Sequence, residues 1–220
     1  MTFCKERDKH LDYLRRVGLF LSFTTDPLIP QTRELSKFTI LSCVQLKGVP
    51  VTLLTKNADF IDDGVFFSWM MTLSEEQRKH VAFGFTLTGR DDMEPNASTN
   101  QERIETMRRL KELGFRTWAS IEPIIQFNKS LCVIRESVRF CDHYKIGLRS
   151  GVKKDYYDND QLLEFIRNVN QVFTDAEREY MAFPTVYWKE SVRKRINTGL
   201  IHSEFNRFAV EIGFNPAINV

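Results

Sequence analysis

An acid, a cation and hydroxyl groups lie at the ends of three successive apolar runs in this sequence. Thr25 and Asp26 end the first run, Lys56 ends the second and Thr86 lies near the end of the third. Carboxylates accept hydrogen bonds, ammonium groups donate them and hydroxyls do both. If the fold brought these ends together, they would suit a zwitterionic ligand that carries hydroxyl groups, such as an amino acid or a nucleoside.

Each of these residues also has an ordinary structural interpretation. Asp26 precedes a proline and is a common turn former, and Lys56 could be a solvated loop lysine. Thr86 suits a strand because its side chain is β-branched, and Glu122, which also precedes a proline, could simply end one. Both interpretations stay open for each residue. A shared position at one edge of a sheet would favour binding.

Six strand-like runs must position these residues, and helical segments lie between them. Most of the runs lack alternation of polar and apolar residues, which is typical of strands covered on both faces. The predicted strands are 19–25, 50–56, 81–88, 116–122, 144–148 and 181–188. The predicted helices are 33–48, 98–114, 128–141 and 159–173. This alternation predicts a parallel α/β sheet, either an open doubly wound sheet or a full or partial (β/α) barrel.

The helix predicted at 98–114 has the clearest signals. It has two candidate capping boxes, because Ser98 and Thr99 each precede a Gln or Glu by three residues. Arg103 follows one turn into this helix. Composition alone predicts that Arg103 is an ordinary surface partner in an i,i+4 ion pair.

Composition indicates a single globular domain. The chain has 220 residues, is 42% hydrophobic and 27% charged, and carries a net charge of +2. Such a small net charge gives little support for nucleic acid or an anionic membrane as a partner. The amino-terminal segment is charged, and no apolar run approaches the roughly 18 residues that span a bilayer. We therefore expect a cytoplasmic protein without membrane contact.

Two common kinds of site lack support in the sequence. No glycine-rich motif of the Rossmann or Walker type is present. The cysteines are scattered without metal-binding spacing, and we expect free thiols and no metal site. Cys141 and His143 flank an aspartate, but such a short group without further ligands only weakly indicates a metal. The four cysteines are Cys4, Cys43, Cys132 and Cys141.

The ordered strand ends resemble the barrel of radical S-adenosylmethionine (radical SAM) enzymes. The similarity rests on "LSFTTDPLIPQT", "VTLLTKN" and "FGFTLTGRDDMEPNASTNQERIETMRRLKELGFRTWASIEPII", and it covers roughly residues 19–150. Within the superfamily, the sequence is most similar to the spore photoproduct lyase-like branch, which has a Ser/Thr-Asp turn, a Thr-Lys pair and a Glu-Pro dipeptide. The resemblance implies a partial (β/α) barrel of the TIM-barrel type with about six strands. It also implies S-adenosylmethionine as a small-molecule cofactor lying across the top of that barrel.

The resemblance implies a role for particular residues of this sequence. Thr25 and Asp26 match contacts to the methionine amino group of the cofactor. Lys56 and Thr86 match contacts to its carboxylate or ribose. One further candidate matches an arginine on a helix near the cofactor, and two match the strand that lines the adenine. These further candidates are Arg103, Ile146 and Gly147.

The resemblance also implies a 4Fe-4S iron-sulfur cluster, which this sequence does not support. In the family, three thiolates of a C-x-x-x-C-x-x-C loop hold the cluster and leave one iron open to the cofactor. That loop and the first strand of the barrel are missing from the sequence. We therefore expect no radical chemistry from this chain as it stands, which would be either a truncated enzyme or a degenerate relative. The missing strand predicts an open barrel edge that could form a dimer.

Residues 1–188 are predicted to form the barrel domain, and residues 189–220 a helical or extended tail packed on it. Two other functions stay open. One is a metal-independent hydrolase or lyase in which Glu122 or Asp26 acts as a base. The other is a non-catalytic α/β binding module for a nucleotide-like or nucleic-acid ligand, although "KESVRKR" is also typical of a solvated amphipathic helix. The residues that could contact a phosphate backbone are Tyr187, Trp188, Arg193, Lys194 and Arg195.

Overall fold

The computed structural model describes residues 2–21, 24–153, 155–195, 208–210 and 215–218. The strands are β1 (Leu19–Leu21), β2 (Val51–Thr55), β3 (Val81–Thr86), β4 (Arg116–Ile124), β5 (His143–Leu148) and β6 (Thr185–Trp188). The helices are α1 (Thr2–Lys9), α2 (Leu11–Val17), α3 (Arg33–Ile40), α4 (Gly64–Met70), α5 (Glu75–Lys79), α6 (Asn100–Glu112), α7 (Phe127–Ser137), α8 (Asn159–Tyr180) and α9 (Glu190–Arg193). Each predicted strand therefore overlaps an observed strand.

The six strands form one sheet in which all neighbours are parallel and the order is β1-β2-β3-β4-β5-β6. Every strand lies beside the strand that precedes it in the sequence. The order never reverses as it does at the switch point of a doubly wound sheet. Within the described residues the sheet is not closed, and β1 and β6 are its edges. The predicted parallel α/β fold is confirmed, and the doubly wound alternative does not fit.

The two edges of the sheet differ. At β6, Val186 N donates a hydrogen bond to Phe208 O at 2.8 Å, and Val210 N donates one to Val186 O at 2.9 Å. Part of the predicted tail therefore covers this edge, while 196–207, 211–214 and 219–220 lie outside the described residues. At the other edge, β1 has only three residues. A short edge strand limits pairing with another chain. Dimer formation through the β1 edge therefore stays a prediction.

The two faces of the sheet have different neighbours. Successive residues of a strand point to opposite faces. Leu53 and Phe83 belong to the main core, together with apolar residues of the helices. Ala82 and Trp118 belong to a separate small cluster on the opposite face, which we call the inner face. The Trp118 indole lies over Gly84 and donates from Nε1 to Leu53 O at 3.1 Å.

Replacement of Gly84 by alanine is expected to lower the free energy of unfolding by about 1–3 kcal/mol, the usual cost of overpacking. A Cβ atom at this position would overlap ring atoms of Trp118, so the indole must move. Urea denaturation measures the effect. Gly64→Ala is the matched control, because a Cβ at Gly64 meets no atom within 4 Å. Equal stability of the two variants would contradict the packing of Trp118 on β3.

Helix boundaries agree with the sequence at α6 and differ elsewhere. Thr99 Oγ1 accepts a hydrogen bond from Glu102 N at 3.2 Å, and Thr99 N donates one to Glu102 Oε2 at 2.7 Å. One of the two predicted capping boxes is thus confirmed, whereas Ser98 accepts a backbone N–H from the loop after β2. The α-helix predicted over 33–48 ends at Ile40 and continues as a π-helical turn over 41–45. Helix α8 extends to Tyr180, beyond its predicted end.

Candidate functional site

A row of polar residues crosses the inner face, near the carboxyl ends of β3 and β6 and in the middle of β4 and β5. Thr86, Ser120, Lys145 and Tyr187 are register neighbours on β3, β4, β5 and β6. The row lies next to the aromatic cluster, because Lys145 Nζ is 4.7 Å from the centre of the Trp118 ring. We call these four residues the inner polar row. Thr86, a predicted binding residue, is therefore the register neighbour of Ser120, and Lys145 and Tyr187 follow in the same row.

Asp26 ties the loop after β1 to the end of β2. Its Oδ1 accepts hydrogen bonds from Thr55 Oγ1 at 2.7 Å and from Leu28 N at 2.9 Å, and its Oδ2 accepts one from Lys56 N at 2.7 Å. The bond from Leu28 N is the local turn that aspartate commonly forms. A carboxylate offers about four acceptor positions, so roughly one stays available for a ligand ammonium group. Asp26 is therefore a turn former and a rim residue at once, with Thr25 exposed beside it.

Glu94 joins Lys56 to Arg103 beside the ends of β2 and β3. Lys56 Nζ is 2.6 Å from Glu94 Oε1, and Arg103 Nη1 is 2.9 Å from Glu94 Oε2. Arg103 Nη1 also donates to Thr86 O at 2.6 Å. We call Lys56, Glu94 and Arg103 the rim network. It joins two of the predicted binding residues, Lys56 and Arg103, through an acid that was not among the predicted site residues.

Burial differs sharply within the rim network. The Arg103 side chain is 0% exposed and that of Glu94 8%, whereas that of Lys56 is 50% exposed. The interpretation of Arg103 as a surface ion-pair residue is therefore wrong. Arg103 Nε and Nη2 are buried and have no hydrogen-bond partner in the part of the chain that the structure describes. Unpaired buried donors are costly, but both nitrogens are fully buried, so Arg103 positions Glu94 and the Thr86 carbonyl group and does not contact a ligand directly.

The charge state of Glu94 follows from its neighbours. Burial raises the pKa of this carboxyl, but the hydrogen bond from Lys56 and the charge of Arg103 outweigh burial and hold the pKa below its usual range. Glu94 is therefore ionised at neutral pH. The Glu94-Pro95 dipeptide was the signal that could have selected this residue, since it is part of the sequence resemblance. Its place between two cations depends on the fold.

A second polar group lies at the ends of β4, β5 and β6. Glu122 and Lys189 form an ion pair whose side chains are about one-third exposed. A Cβ atom at Gly147 would lie 2.7 Å from Glu122 Oε1 and 2.9 Å from Lys189 Cδ. A larger residue at Gly147 would therefore displace the pair. A base role for Glu122 would first require release of its carboxylate from Lys189.

Ile146 and Gly147 face opposite sides of the sheet, as alternation along a strand requires. The Ile146 side chain is fully buried in the main core, and its carbonyl oxygen accepts a hydrogen bond from Lys189 N at 2.9 Å. Gly147 instead faces the inner side beside Glu122. Of the two residues expected to line an adenine, Ile146 could therefore contribute only its backbone.

The thiols do not fit a 4Fe-4S cluster. They lie in separate places, on α1, on the π-helical turn after α3, on α7 and just before β5. The described residues hold no group of three or more His, Cys, Asp or Glu side chains placed to bind a metal ion. His143 Nδ1 is 2.8 Å from Thr185 Oγ1, and burial lowers the pKa of His143 to about 3. Cys141 Sγ contacts His143 O at 3.1 Å, so this short group has a structural role.

The residues proposed to contact a phosphate backbone are mostly engaged elsewhere. Trp188 is 2% exposed and belongs to the main core. Arg195 donates to Tyr157 O at 2.8 Å and to Asn159 Oδ1 at 3.2 Å. Lys194 pairs at 2.9 Å with the acid one turn earlier. These contacts weaken the support for nucleic-acid binding at this surface.

A groove of about 620 Å³ lies between the start of α7 and the segment leading into α8. Aromatic residues that include Phe127, Tyr157 and Phe165 line it. The groove contains no predicted binding residue and no member of the rim network or the inner polar row. The polar groups at the strand ends, and not this groove, therefore form the candidate site.

Together, the fold and these groups define a parallel α/β protein with a charged rim at the carboxyl ends of its strands. In comparisons with known proteins, no family model matches the sequence and no curated protein is significantly similar to it. Among the described residues, no helix has both the length and the apolar character needed to cross a membrane.

Proposed function

We propose that this chain is a radical S-adenosylmethionine-type protein, built as a partial (β/α) barrel of the TIM-barrel type, that binds S-adenosylmethionine at its rim. The observation that carries the proposal is the rim network, in which the buried ion pair of Arg103 and Glu94 holds the half-exposed Lys56 beside the ends of β2 and β3. Parallel α/β folds bind their ligands at the carboxyl ends of the strands. The consecutive order of six parallel strands supports the barrel architecture.

The amino-acid and ribose parts of the cofactor have matching groups on this chain. The remaining acceptor position of Asp26 suits the ammonium group, and the exposed Lys56 suits the carboxylate. Thr86 supplies a hydroxyl donor for a ribose oxygen, and the buried Arg103 holds the carbonyl group of Thr86 in place. When bound, S-adenosylmethionine supplies a sulfonium group whose carbon–sulfur bonds can be cleaved. The chain's own residues bind and orient this molecule.

Replacement of Lys56 by alanine is expected to weaken S-adenosylmethionine binding about tenfold, which corresponds to roughly 1.4 kcal/mol. The loss follows from removal of a half-exposed cation of the rim network that can reach a ligand carboxylate. Glu94 keeps its bond to Arg103 in this variant, so the fold is expected to persist. Titration calorimetry measures the affinity. Lys79→Ala is the matched control, since Lys79 is an exposed lysine on α5, paired with Glu76. Unchanged binding by Lys56→Ala would remove Lys56 from the site.

A second candidate function is a non-catalytic module for another nucleotide-like ligand. The hydroxyls of the inner polar row favour it, because they could bind a ribose or phosphate that has no sulfonium group. Competition separates the two functions. Displacement of S-adenosylmethionine only by its close analogues supports the first, and tighter binding of adenosine or a simple nucleotide supports the second.

A further inference from the structure

Lys145 is an inward-facing cation without a counter-charge among the described residues. Its Nζ lies over two aromatic rings, at 4.7 Å from the centre of Trp118 and 5.8 Å from that of Phe20. Glu122, the acid on the neighbouring strand, is already paired with Lys189. Cation–π contacts offset only part of the cost of removing an ammonium group from water. The ligand-free protein therefore holds an incompletely compensated positive charge on its inner face.

The groups around Lys145 supply no negative charge. Burial, and then the charge of Lys189, lower the pKa of Lys145. His143, two residues earlier on the same strand, is buried and its low pKa keeps it neutral at pH 7. Tyr187 on β6 and Ser120 on β4 are the register neighbours of Lys145. Both neighbours are uncharged hydroxyl side chains, and in the described part of the chain the acid on the adjoining strand β4, Glu122, is already paired with Lys189.

The hydroxyls beside Lys145 are also uncommitted. Within the described ranges, the side chains of Thr86, Ser120 and Tyr187 donate no hydrogen bond to another residue. None of these oxygens belongs to the fully buried atoms that lack partners. They therefore stay reachable from the inner side of the sheet. The row thus presents one ammonium group and three hydroxyl donors. Such a set of donors suits an acceptor that carries negative charge.

We propose that the inner polar row binds the oxyanion of a small ligand, a carboxylate or a phosphate group, with Lys145 as its counter-charge. Ser120 and Tyr187 donate hydrogen bonds to it from the two flanking strands, and Thr86 donates from β3. This site shares Thr86 with the proposed S-adenosylmethionine site, but Lys145, Ser120 and Tyr187 belong to the inner polar row alone, and binding of the oxyanion does not require S-adenosylmethionine. Its failure and the failure of the proposed function are therefore distinguishable.

Melting temperatures of the full chain test this proposal. Inorganic phosphate and acetate are titrated separately against sodium chloride at equal ionic strength, because a ligand that binds the native state raises the melting temperature. Wild-type protein is expected to gain several degrees with at least one of the two anions, and the more effective anion identifies the oxyanion class. Lys145→Met is expected to lose this gain, and Ser120→Ala to need a several-fold higher anion concentration.

Without added anion, Lys145→Met is expected to melt about 2–6 °C above the wild type, because an apolar chain of similar length replaces an uncompensated cation. Lys79→Met is the matched control and should change neither property. A lower melting temperature of Lys145→Met would show a structural lysine and overturn the proposal. The proposal would also be overturned if neither anion raised the melting temperature of the wild type. It would be overturned as well if Lys145→Met kept the rise in melting temperature and Lys56→Met lost it.

Discussion

Replacement of Glu94 by glutamine is expected to lower the free energy of unfolding by about 3–5 kcal/mol, the usual cost of breaking a buried ion pair. Arg103 is fully buried and cannot lose its charge, and Glu94 is the acid that it contacts among the described residues. Glutamine keeps one acceptor oxygen for the guanidinium beside the carbonyl oxygen of Thr86, but it removes the negative charge that balances the buried cation. Urea denaturation at pH 7 measures the loss.

Two further variants separate charge from packing. Glu105→Gln removes a half-exposed acid of α6, the helix that carries Arg103; Glu105 pairs with Arg108, so its effect should stay within about 0.5 kcal/mol. The double variant Glu94→Leu with Arg103→Met removes both buried charges and is expected to recover most of the stability. A loss below about 1 kcal/mol for Glu94→Gln would contradict the buried pair.

The same pair predicts how stability depends on pH. The pKa of Glu94 is held below its ordinary value of 4.5 in the folded state. The ionised form therefore contributes stability above the unfolded pKa, and this contribution is lost as pH falls through the folded pKa. Acidification should consequently destabilise the wild type more than Glu94→Gln. If the stability of the two proteins fell equally with decreasing pH, the predicted contribution of Glu94 would be contradicted.

Replacement of Asp26 by alanine is expected to lower the free energy of unfolding by about 2–4 kcal/mol, because three donors lose a charged acceptor. Those donors are Thr55 Oγ1 and the backbone N–H groups of Leu28 and Lys56. The affinity for S-adenosylmethionine is expected to fall at least tenfold in the same variant. Denaturation and titration calorimetry measure the two effects separately.

Asp26→Asn distinguishes loop anchoring from ligand binding. The amide keeps one acceptor oxygen, so part of the stability should return, while the missing charge still weakens binding of an ammonium group. Asp12→Ala is the control, since Asp12 is fully exposed on α2. If Asp26→Asn bound the cofactor as well as the wild type, Asp26 would be a turn former only.

The parallel fold was predictable because its signals are local. Apolar runs such as 81–88 mark strands whose residues are buried on both sides, and β3 is buried along its whole length. The capping box at Thr99 is likewise a short-range pattern, and it sets the start of α6. The sequence did not distinguish an open doubly wound sheet from a barrel, because strand order depends on contacts between distant segments.

The candidate site was predictable only as a set of strand ends. The parallel sheet predicted that Asp26, Lys56 and Thr86 lie at the rim. It did not predict which residues they contact there. Arg103 looked like a surface residue by helix spacing, and its burial comes from the packing of α6 against β3 and the loop that carries Glu94. Lys145 was one strand-end residue among several. Its isolation from acids depends on the pairing of Glu122 with Lys189, two strands apart.

Titration calorimetry of the wild-type chain with S-adenosylmethionine tests the central claim most directly. A rim that binds this molecule predicts saturable heat with one site per chain and a dissociation constant on the order of micromolar. The heat should be reduced in Lys56→Ala and retained in Lys79→Ala. Absence of saturable binding to the folded wild-type chain would contradict the proposed function.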